Sequence, residues 1–154
     1  MSRTLLILFA AGGSLAALAA AYAFQYIGGL QPCHLCWMQR YPHFAAVAIG
    51  VLALLIPKTL LARLLPLAGA AAALTSAGYG FYHTGVERRW WLSTCGSSLD
   101  LKLSAKDLTA QIFAAPVVKC DQVAWQMFSL SMASWNVLLS LGLVVVWLMA
   151  VRKS

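Results

Sequence analysis

The chain has 154 residues, of which 62% are hydrophobic and only 10% are charged, and its mean hydropathy is +0.79. This composition excludes an ordinary soluble globular protein, and the length predicts a single domain, residues 1–154. The formal net charge of +7 is not accompanied by a nucleic-acid-binding motif. We therefore interpret the positive charge as a determinant of membrane topology and expect no nucleic-acid partner.

The first apolar run, Thr4–Ala23, is similar to a secretory signal peptide as well as to a membrane span. Arg3 precedes it, and the small-residue segment Ala21-Tyr22-Ala23 imitates a cleavage site. Its apolar part is longer than the hydrophobic region of a usual signal peptide, and three more spans follow. We therefore expect a retained membrane helix.

Three further apolar runs are long enough to cross the hydrocarbon core of a bilayer, Met38–Ile56, Leu65–His83 and Met132–Val151. The first and third spans are rich in glycine and alanine, which let helices approach closely in lipid. The sequence therefore predicts an all-α, polytopic four-helix bundle with a long loop, about Thr84–Ser131. Within this loop, the capping-box pattern of Ser104 and Asp107 predicts a short amphipathic helix on the membrane surface, ended by Pro116.

The charge distribution predicts which side of the membrane each loop faces. Both termini share a side with the short loop Pro57–Leu64, and that side carries basic residues and no acid. The opposite side also carries basic residues, but all acidic residues lie there and the loop is long. Since short loops dominate the positive-inside rule, we expect cytoplasmic termini. Every cysteine then lies on the non-cytoplasmic side, where disulfides persist.

The chain's 4 cysteines form two pairs outside the middle of any predicted span. Cys33 and Cys36 make a CxxC after the first apolar run, whereas Cys95 and Cys120 lie in the long polar loop. Zinc binding is a competing use of a CxxC, but it needs a second closely spaced ligand pair. Cys95 and Cys120 lack that spacing, so we expect no metal and predict thiol–disulfide chemistry at the membrane surface.

Arg40 lies one helical turn beyond Cys36 on the same face, provided that the segment after Pro32 is helical. A guanidinium there would stabilise a thiolate at Cys36. The alternative is that Arg40 only extends to the lipid headgroups. Because a charge so close to a span is costly and usually functional, we expect Arg40 to belong to the reactive site.

Sequence motifs that extend beyond the CxxC resemble those of the DsbB family. Members of this family are bacterial inner-membrane proteins that reoxidise the periplasmic thiol oxidase DsbA and pass electrons to quinone. The segment Cys33–Arg40 resembles the family's CxLCxxxR, and His83 precedes Cys95 by about a dozen residues, as in the family. The segment 120–135 resembles its CxxxxW…M..W pattern. One departure is Gln39, where many relatives carry an acid, and we expect it to affect only the tuning around Arg40.

The resemblance implies a direction of electron flow. Cys95–Cys120 would be the disulfide that DsbA attacks, with Cys95 forming the mixed disulfide. Cys120 would then engage Cys33, which leaves Cys36 as the thiolate that faces quinone. Four cysteines allow three pairings, and because a CxxC closes the shortest loop, we expect Cys33–Cys36 and Cys95–Cys120 in the resting oxidised protein.

The same resemblance implies a quinone site formed by Arg40, His83 and Met132. Ubiquinone is the expected acceptor, with menaquinone as the alternative. From the residues alone, His83 is an interfacial histidine at a helix end and Met132 fills the core. The resemblance also implies a multi-pass location in the bacterial inner membrane, with the cysteines on the periplasmic side.

Three other functions remain open at this point. The chain could be a DsbB paralogue that serves a dedicated thiol oxidase. It could be similar to vitamin K epoxide reductase, although in that family the CxxC follows the loop cysteines, whereas here it precedes them. It could also be a non-enzymatic membrane protein whose disulfides are structural.

Overall fold

The computed structural model describes residues 1–56, 60–91 and 120–153, and for residues 60–63 only the backbone is described. The described chain consists of α1 (Arg3–Tyr26), α2 (His34–Leu55), α3 (Leu60–Glu87), β1 (Gln126–Met127), β2 (Leu130–Ser131) and α4 (Met132–Val151). The two strands pair as an antiparallel hairpin directly before α4. The predicted amphipathic helix at Ser104–Pro116 lies outside the described residues.

The predicted four-span helical fold is confirmed. Helices α1, α2 and α4, and residues Leu64–Glu87 of α3, are long and apolar enough to cross a membrane. The boundaries of α4 agree with the prediction, but α2 begins before Met38 and α3 continues beyond His83. Both helices extend into segments that contain cysteine or polar side chains. Hydropathy alone therefore underestimates their length.

The four helices follow one another around the bundle. Helix α1 packs against α2 and α4, and α3 packs against the same two neighbours. Part of the predicted glycine packing is confirmed, because Gly13 lies against α4 and Gly69 lies against the indole ring of Trp147. At Gly12 and Gly78, by contrast, a Cβ atom would have no atom of another described helix within 4 Å. Only some of the small residues therefore mark helix contacts.

Gly69 and Gly78 provide a matched test of this packing. A Cβ atom at Gly69 would lie 2.6 Å from the ring of Trp147, which is fully buried. We expect Gly69→Ala to reduce the stability of the bundle by about 1–3 kcal/mol, the usual cost of overpacking. Gly78→Ala should be neutral or slightly stabilising, since alanine favours helix. Thermal unfolding of both variants in detergent measures the difference, and equal transitions would contradict the close contact.

The two core clusters lie at opposite ends of the bundle. One joins the start of α1 to the end of α4 and contains Leu6, Ile7 and Trp147. The other lies where α2 begins and α3 ends, and it contains Cys33, Val86 and Cys120. The outward faces expose many large apolar side chains, as lipid-facing helices do. The described cysteines therefore lie at the end of the bundle opposite to both chain termini.

Candidate functional site

The CxxC forms the first turn of α2. Cys33 is the N-cap residue, and its Sγ accepts a hydrogen bond from the backbone N–H of Cys36 at 3.3 Å. The sulfur atoms of Cys33 and Cys36 are 2.9 Å apart, and both are free thiols. The predicted placement of the two cysteines on one helical turn is confirmed. The structure holds this pair as a dithiol, so the disulfide expected in the oxidised protein stays a prediction.

The two thiols are not equivalent. The hydrogen bond with the Cys36 side chain, together with burial, raises the pKa of the Cys33 thiol above its ordinary value. The N–H of Cys36 opposes this effect, but less strongly. Cys33 is therefore the sulfur that keeps its proton and donates it towards Cys36. This asymmetry makes Cys36 the better acceptor of a hydrogen bond and the better site for negative charge.

His83 faces the dithiol from the last turns of α3. Its Nε2 is 3.7 Å from the Sγ of Cys33, and its Nδ1 is 2.9 Å from Nε2 of Gln39. Because the amide nitrogen of Gln39 also donates to the carbonyl of Leu35, His83 Nδ1 accepts from Gln39. A neutral His83 ring then carries its hydrogen on Nε2, towards the sulfur. His83 lies one turn before the end of α3, as expected, and its side chain is buried.

Arg40 is buried between α1 and α2. Its Nη1 donates to Gln25 Oε1 at 2.6 Å, and its Nη2 donates to the carbonyl of Ala21 at 3.2 Å. The guanidinium also lies over the rings of Tyr22 and Trp37, at 4.8 and 4.9 Å from their centroids. These are inward contacts, which differ from those of an arginine that extends to the headgroups.

Cys120 lies close to the CxxC. It is almost completely buried and packs in the same cluster as Cys33 and Val86. Its backbone also forms a hydrogen bond with the ring of His83. Cys120 is disulfide-bonded. Its predicted partner, Cys95, lies outside the described residues, so that pairing stays a prediction.

A cavity of about 250 Å³ opens beside the dithiol, close to the lower end of the usual range for small-molecule sites. Both CxxC residues line it, together with the three residues expected to contact quinone, Arg40, His83 and Met132. Its remaining walls are largely apolar and aromatic and include Phe24, Leu30, Trp125, Trp135 and Leu139. The structure thus brings together every predicted site residue that it describes, with Cys120 packed beside the cavity.

From the sequence we expect Gln39 only to tune the surroundings of Arg40 and assign no role to His43, Glu87 and Asn136. All four of these polar residues line the cavity. The signal that could have revealed them is their position, since isolated polar residues inside membrane spans are usually functional. Gln39 and His43 also lie at helical spacing from Cys36, and Glu87 lies one turn beyond His83.

Glu87 adds a carboxylate to the dithiol end of the cavity. Its Oε1 is 3.9 Å from Nε2 of His83, and the side chain also forms a hydrogen bond with Ser131. Its Oε2 is buried and has no hydrogen-bond partner among the described residues. His83 Nε2–H therefore lies between a thiol sulfur and a carboxylate, and it can donate a hydrogen bond to either of them.

The ligand atoms of Cys33, Cys36 and His83 lie within 4.8 Å of one another, so this group could also hold a metal ion. Two sulfurs and one imidazole nitrogen suit zinc with a fourth ligand from water or substrate. A disulfide between the two cysteines would remove both thiolate ligands. Metal binding and redox cycling therefore exclude each other at this place, and the absence of a metal stays a prediction.

Comparison with known proteins agrees with this geometry. The family described as "Disulfide bond formation protein DsbB" matches residues 2–150. The chain is 35% identical to Disulfide bond formation protein B of Methylococcus capsulatus over 139 residues, which cover 83% of this chain and 81% of the relative. It is 30% identical to the protein of that name from Haemophilus influenzae (strain Rd) over 145 residues, covering 91% and 81%. No solved structure matches significantly. With four membrane-spanning helices and a dithiol beside a cavity, the chain belongs to the DsbB family of disulfide bond formation proteins.

Proposed function

We propose that this chain is a quinone-dependent thiol oxidase that reoxidises a periplasmic DsbA-type protein. Membership of the DsbB family supports thiol oxidoreductase activity in a membrane. The finer assignment rests on one observation, the cavity lined by both CxxC residues, Arg40 and His83. In this proposal the protein lies in the bacterial inner membrane with cytoplasmic termini and periplasmic cysteines.

Each step exchanges two electrons between named sulfur pairs. The reduced partner attacks Cys95 of the Cys95–Cys120 disulfide, and resolution of the mixed disulfide leaves the partner oxidised and this loop pair reduced. Cys120 then attacks Cys33, which breaks the Cys33–Cys36 disulfide and leaves Cys36 as the departing thiolate. When the mixed disulfide of Cys120 and Cys33 resolves, the loop disulfide re-forms and the CxxC is a dithiol.

The cavity supplies what reduction of a quinone requires from the protein. The dithiol gives up two electrons and two protons, the CxxC disulfide re-forms, and the acceptor leaves as hydroquinone. Arg40 and Nε2 of His83 are N–H donors that suit a quinone carbonyl, and Met132 lies on the cavity wall. The N–H of His83 Nε2 also faces the sulfur of Cys33 and can stabilise it as a thiolate, and the carboxylate of Glu87 lies close to the same N–H. The largely apolar walls suit the ring of a quinone.

The energetics favour a strong terminal acceptor. DsbA-type oxidases have potentials near −120 mV, whereas structural disulfides usually lie below about −300 mV. An ordinary disulfide would face a difference of roughly 180 mV, or about 8 kcal/mol for two electrons. A lipid-dissolved quinone next to Cys36 provides the required driving force. Ubiquinone is the expected acceptor, with menaquinone as the alternative.

Other candidate functions fit the site less well. A purely structural role for the cysteines does not account for two free thiols beside a cavity that holds Arg40 and His83. A vitamin K epoxide reductase-like enzyme would have the CxxC after the loop cysteines. A paralogue that serves a dedicated partner would have the same internal chemistry, and only the choice of partner distinguishes it.

Turnover of reduced DsbA in detergent tests the proposal directly. We expect oxidation of DsbA to require added quinone and to saturate with quinone concentration, with ubiquinone and menaquinone compared side by side. Cys33→Ser is the matched control, since it cannot form the CxxC disulfide and should show no turnover. A quinone-independent rate, or none with either quinone, would contradict the proposed function.

A further inference from the structure

A group of polar side chains lies inside the bundle, one helical turn further along α2 than Arg40. Nε2 of His43 contacts Oδ1 of Asn136 at 2.9 Å and Oγ of Ser76 at 3.1 Å. Asn136 in turn donates from Nδ2 to Oε1 of Gln39 at 3.0 Å. Polar side chains this deep in a membrane bundle are costly and usually functional. The steps proposed above give His43 no role.

The hydrogen-bond partners determine which nitrogen of His43 carries the hydrogen. Asn136 Nδ2 donates to Gln39 Oε1 and lies 3.4 Å from the backbone carbonyl of Ser76, which fixes the orientation of the amide. Its Oδ1 therefore faces His43, and an amide oxygen can only accept a hydrogen bond. His43 Nε2 must therefore donate to Asn136. A charged ring between membrane helices is costly, so the ring is taken as neutral. Its Nδ1 then carries no hydrogen and can only accept a hydrogen bond.

This acceptor is left unpaired. Nδ1 of His43 is buried and has no hydrogen-bond partner among the described residues. His43 is only 3% exposed, yet its ring lines the cavity beside the dithiol. Because Nε2 is engaged with Ser76 of α3 and Asn136 of α4, Nδ1 is the ring nitrogen that remains for a ligand. A buried unpaired acceptor is unfavourable, and a donor on a molecule in the cavity would relieve it.

The polar groups along the cavity therefore differ in kind. Near the CxxC, Arg40 and His83 offer N–H donors and Glu87 offers a carboxylate. Further in, by contrast, His43 offers a neutral acceptor. Arg40 and His43 are about one turn apart on α2, roughly 5 Å along the axis. An oxidised quinone has only carbonyl acceptors, but the hydroxyl groups of a hydroquinone can donate to His43 Nδ1.

We infer that His43 Nδ1 accepts a hydrogen bond from hydroquinone, so that the cavity binds hydroquinone more tightly than quinone. This inference rests on the proposed function, in which the CxxC dithiol is oxidised to a disulfide while quinone takes up its two electrons and two protons. Tighter binding of the reduced form raises the potential of the bound couple, by about 30 mV for each tenfold ratio of affinities. His43 thereby increases the driving force for electron transfer from the CxxC dithiol to the bound quinone.

Binding of each redox form can be measured without turnover. The full chain carrying Cys36→Ser cannot exchange electrons with the ligand, so quinone and hydroquinone both stay intact. We expect anaerobic calorimetry in detergent, with a short-chain ubiquinone and its hydroquinone, to give a hydroquinone affinity about tenfold higher, as for one well-formed buried hydrogen bond. His43→Phe in the same background keeps a ring but no nitrogen, and the two affinities should become nearly equal.

Ser76→Ala is the matched control. Ser76 contacts Nε2 of His43 but does not line the cavity, so this variant disturbs the same network and leaves Nδ1 in place. It should keep the preference for hydroquinone, and a loss as large as that of His43→Phe would overturn the role of Nδ1.

A ligand series tests the inference without altering His43. The dimethyl ether of the hydroquinone has no hydroxyl donor and should bind no better than the quinone, even where His43→Phe fails to fold. Equal affinities for quinone and hydroquinone when His43 is present would overturn the inference. Failure to bind either form would instead contradict the proposed quinone site.

Discussion

Cys36→Ser should abolish quinone-dependent turnover and still allow the partner oxidase to attack the protein. Electrons would enter at Cys95–Cys120 and reach Cys33, but without Cys36 no thiolate faces the acceptor. Cys95→Ser should give the opposite result, with no mixed disulfide to DsbA but with Cys33–Cys36 still reactive towards quinone. The physical reason is that thiol–disulfide exchange needs a thiolate in contact with one particular sulfur.

Two experiments measure the attack by DsbA and the reduction of quinone separately. A DsbA variant that retains only its attacking cysteine should form a stable mixed disulfide with the Cys36→Ser protein and none with the Cys95→Ser protein. Reduction of quinone by the pre-reduced Cys95→Ser protein should remain measurable in a single turnover. Trapping of DsbA through Cys33 or Cys36 would reverse the proposed direction of electron flow.

The geometry at Cys120 supports the transfer step between the two pairs. Cys120 packs in one buried cluster with Cys33, and its backbone bonds to the ring of His83. The proposed transfer would therefore take place inside a cluster that already contains both residues. His83 contacts both the backbone of Cys120 and the thiol of Cys33, so it lies next to both residues of the proposed exchange.

The membrane fold was predictable because its signal is strong. Four apolar runs gave the number of helices, and α4 was predicted with its observed boundaries. The ends of α2 and α3 were predicted too short, since hydropathy falls where polar side chains appear. There α2 begins with Cys33 as its N-cap residue, and the last turns of α3 carry His83 and Glu87, which line the cavity.

The site was only partly predictable. Cys33, Cys36 and Arg40 follow from local spacing, because i, i+3 and i+4 residues share one helix face. His83 and Met132 belong to other helices, and only the family resemblance joined them to the CxxC. Asn136 and His43 could not be paired from sequence, since their contact depends on how α2 and α4 both pack against α3. Contacts between helices depend on packing angles that single-span patterns do not contain.

Arg40→Ala should raise the apparent KM for quinone by about tenfold or more, the effect of losing charge-assisted hydrogen bonds worth roughly 1.5–3 kcal/mol each. The guanidinium lines the cavity and is held by Gln25 and the carbonyl of Ala21. Arg40→Lys should recover only part of the affinity. The planar guanidinium can bond α1 and present donors to the cavity at the same time, and an ammonium group lacks this geometry. Turnover over a range of quinone concentrations gives the KM of each variant.

Gln25→Ala separates positioning from charge. Gln25 bonds Nη1 of Arg40 at 2.6 Å but does not line the cavity, so its removal loosens the guanidinium and keeps the charge. We expect its KM for quinone to lie between those of the original protein and of Arg40→Ala. Thermal unfolding in detergent controls for stability, because Arg40 also stacks on Tyr22 and Trp37. If Arg40→Ala lowered the unfolding temperature and left the quinone dependence unchanged, Arg40 would only join α1 to α2.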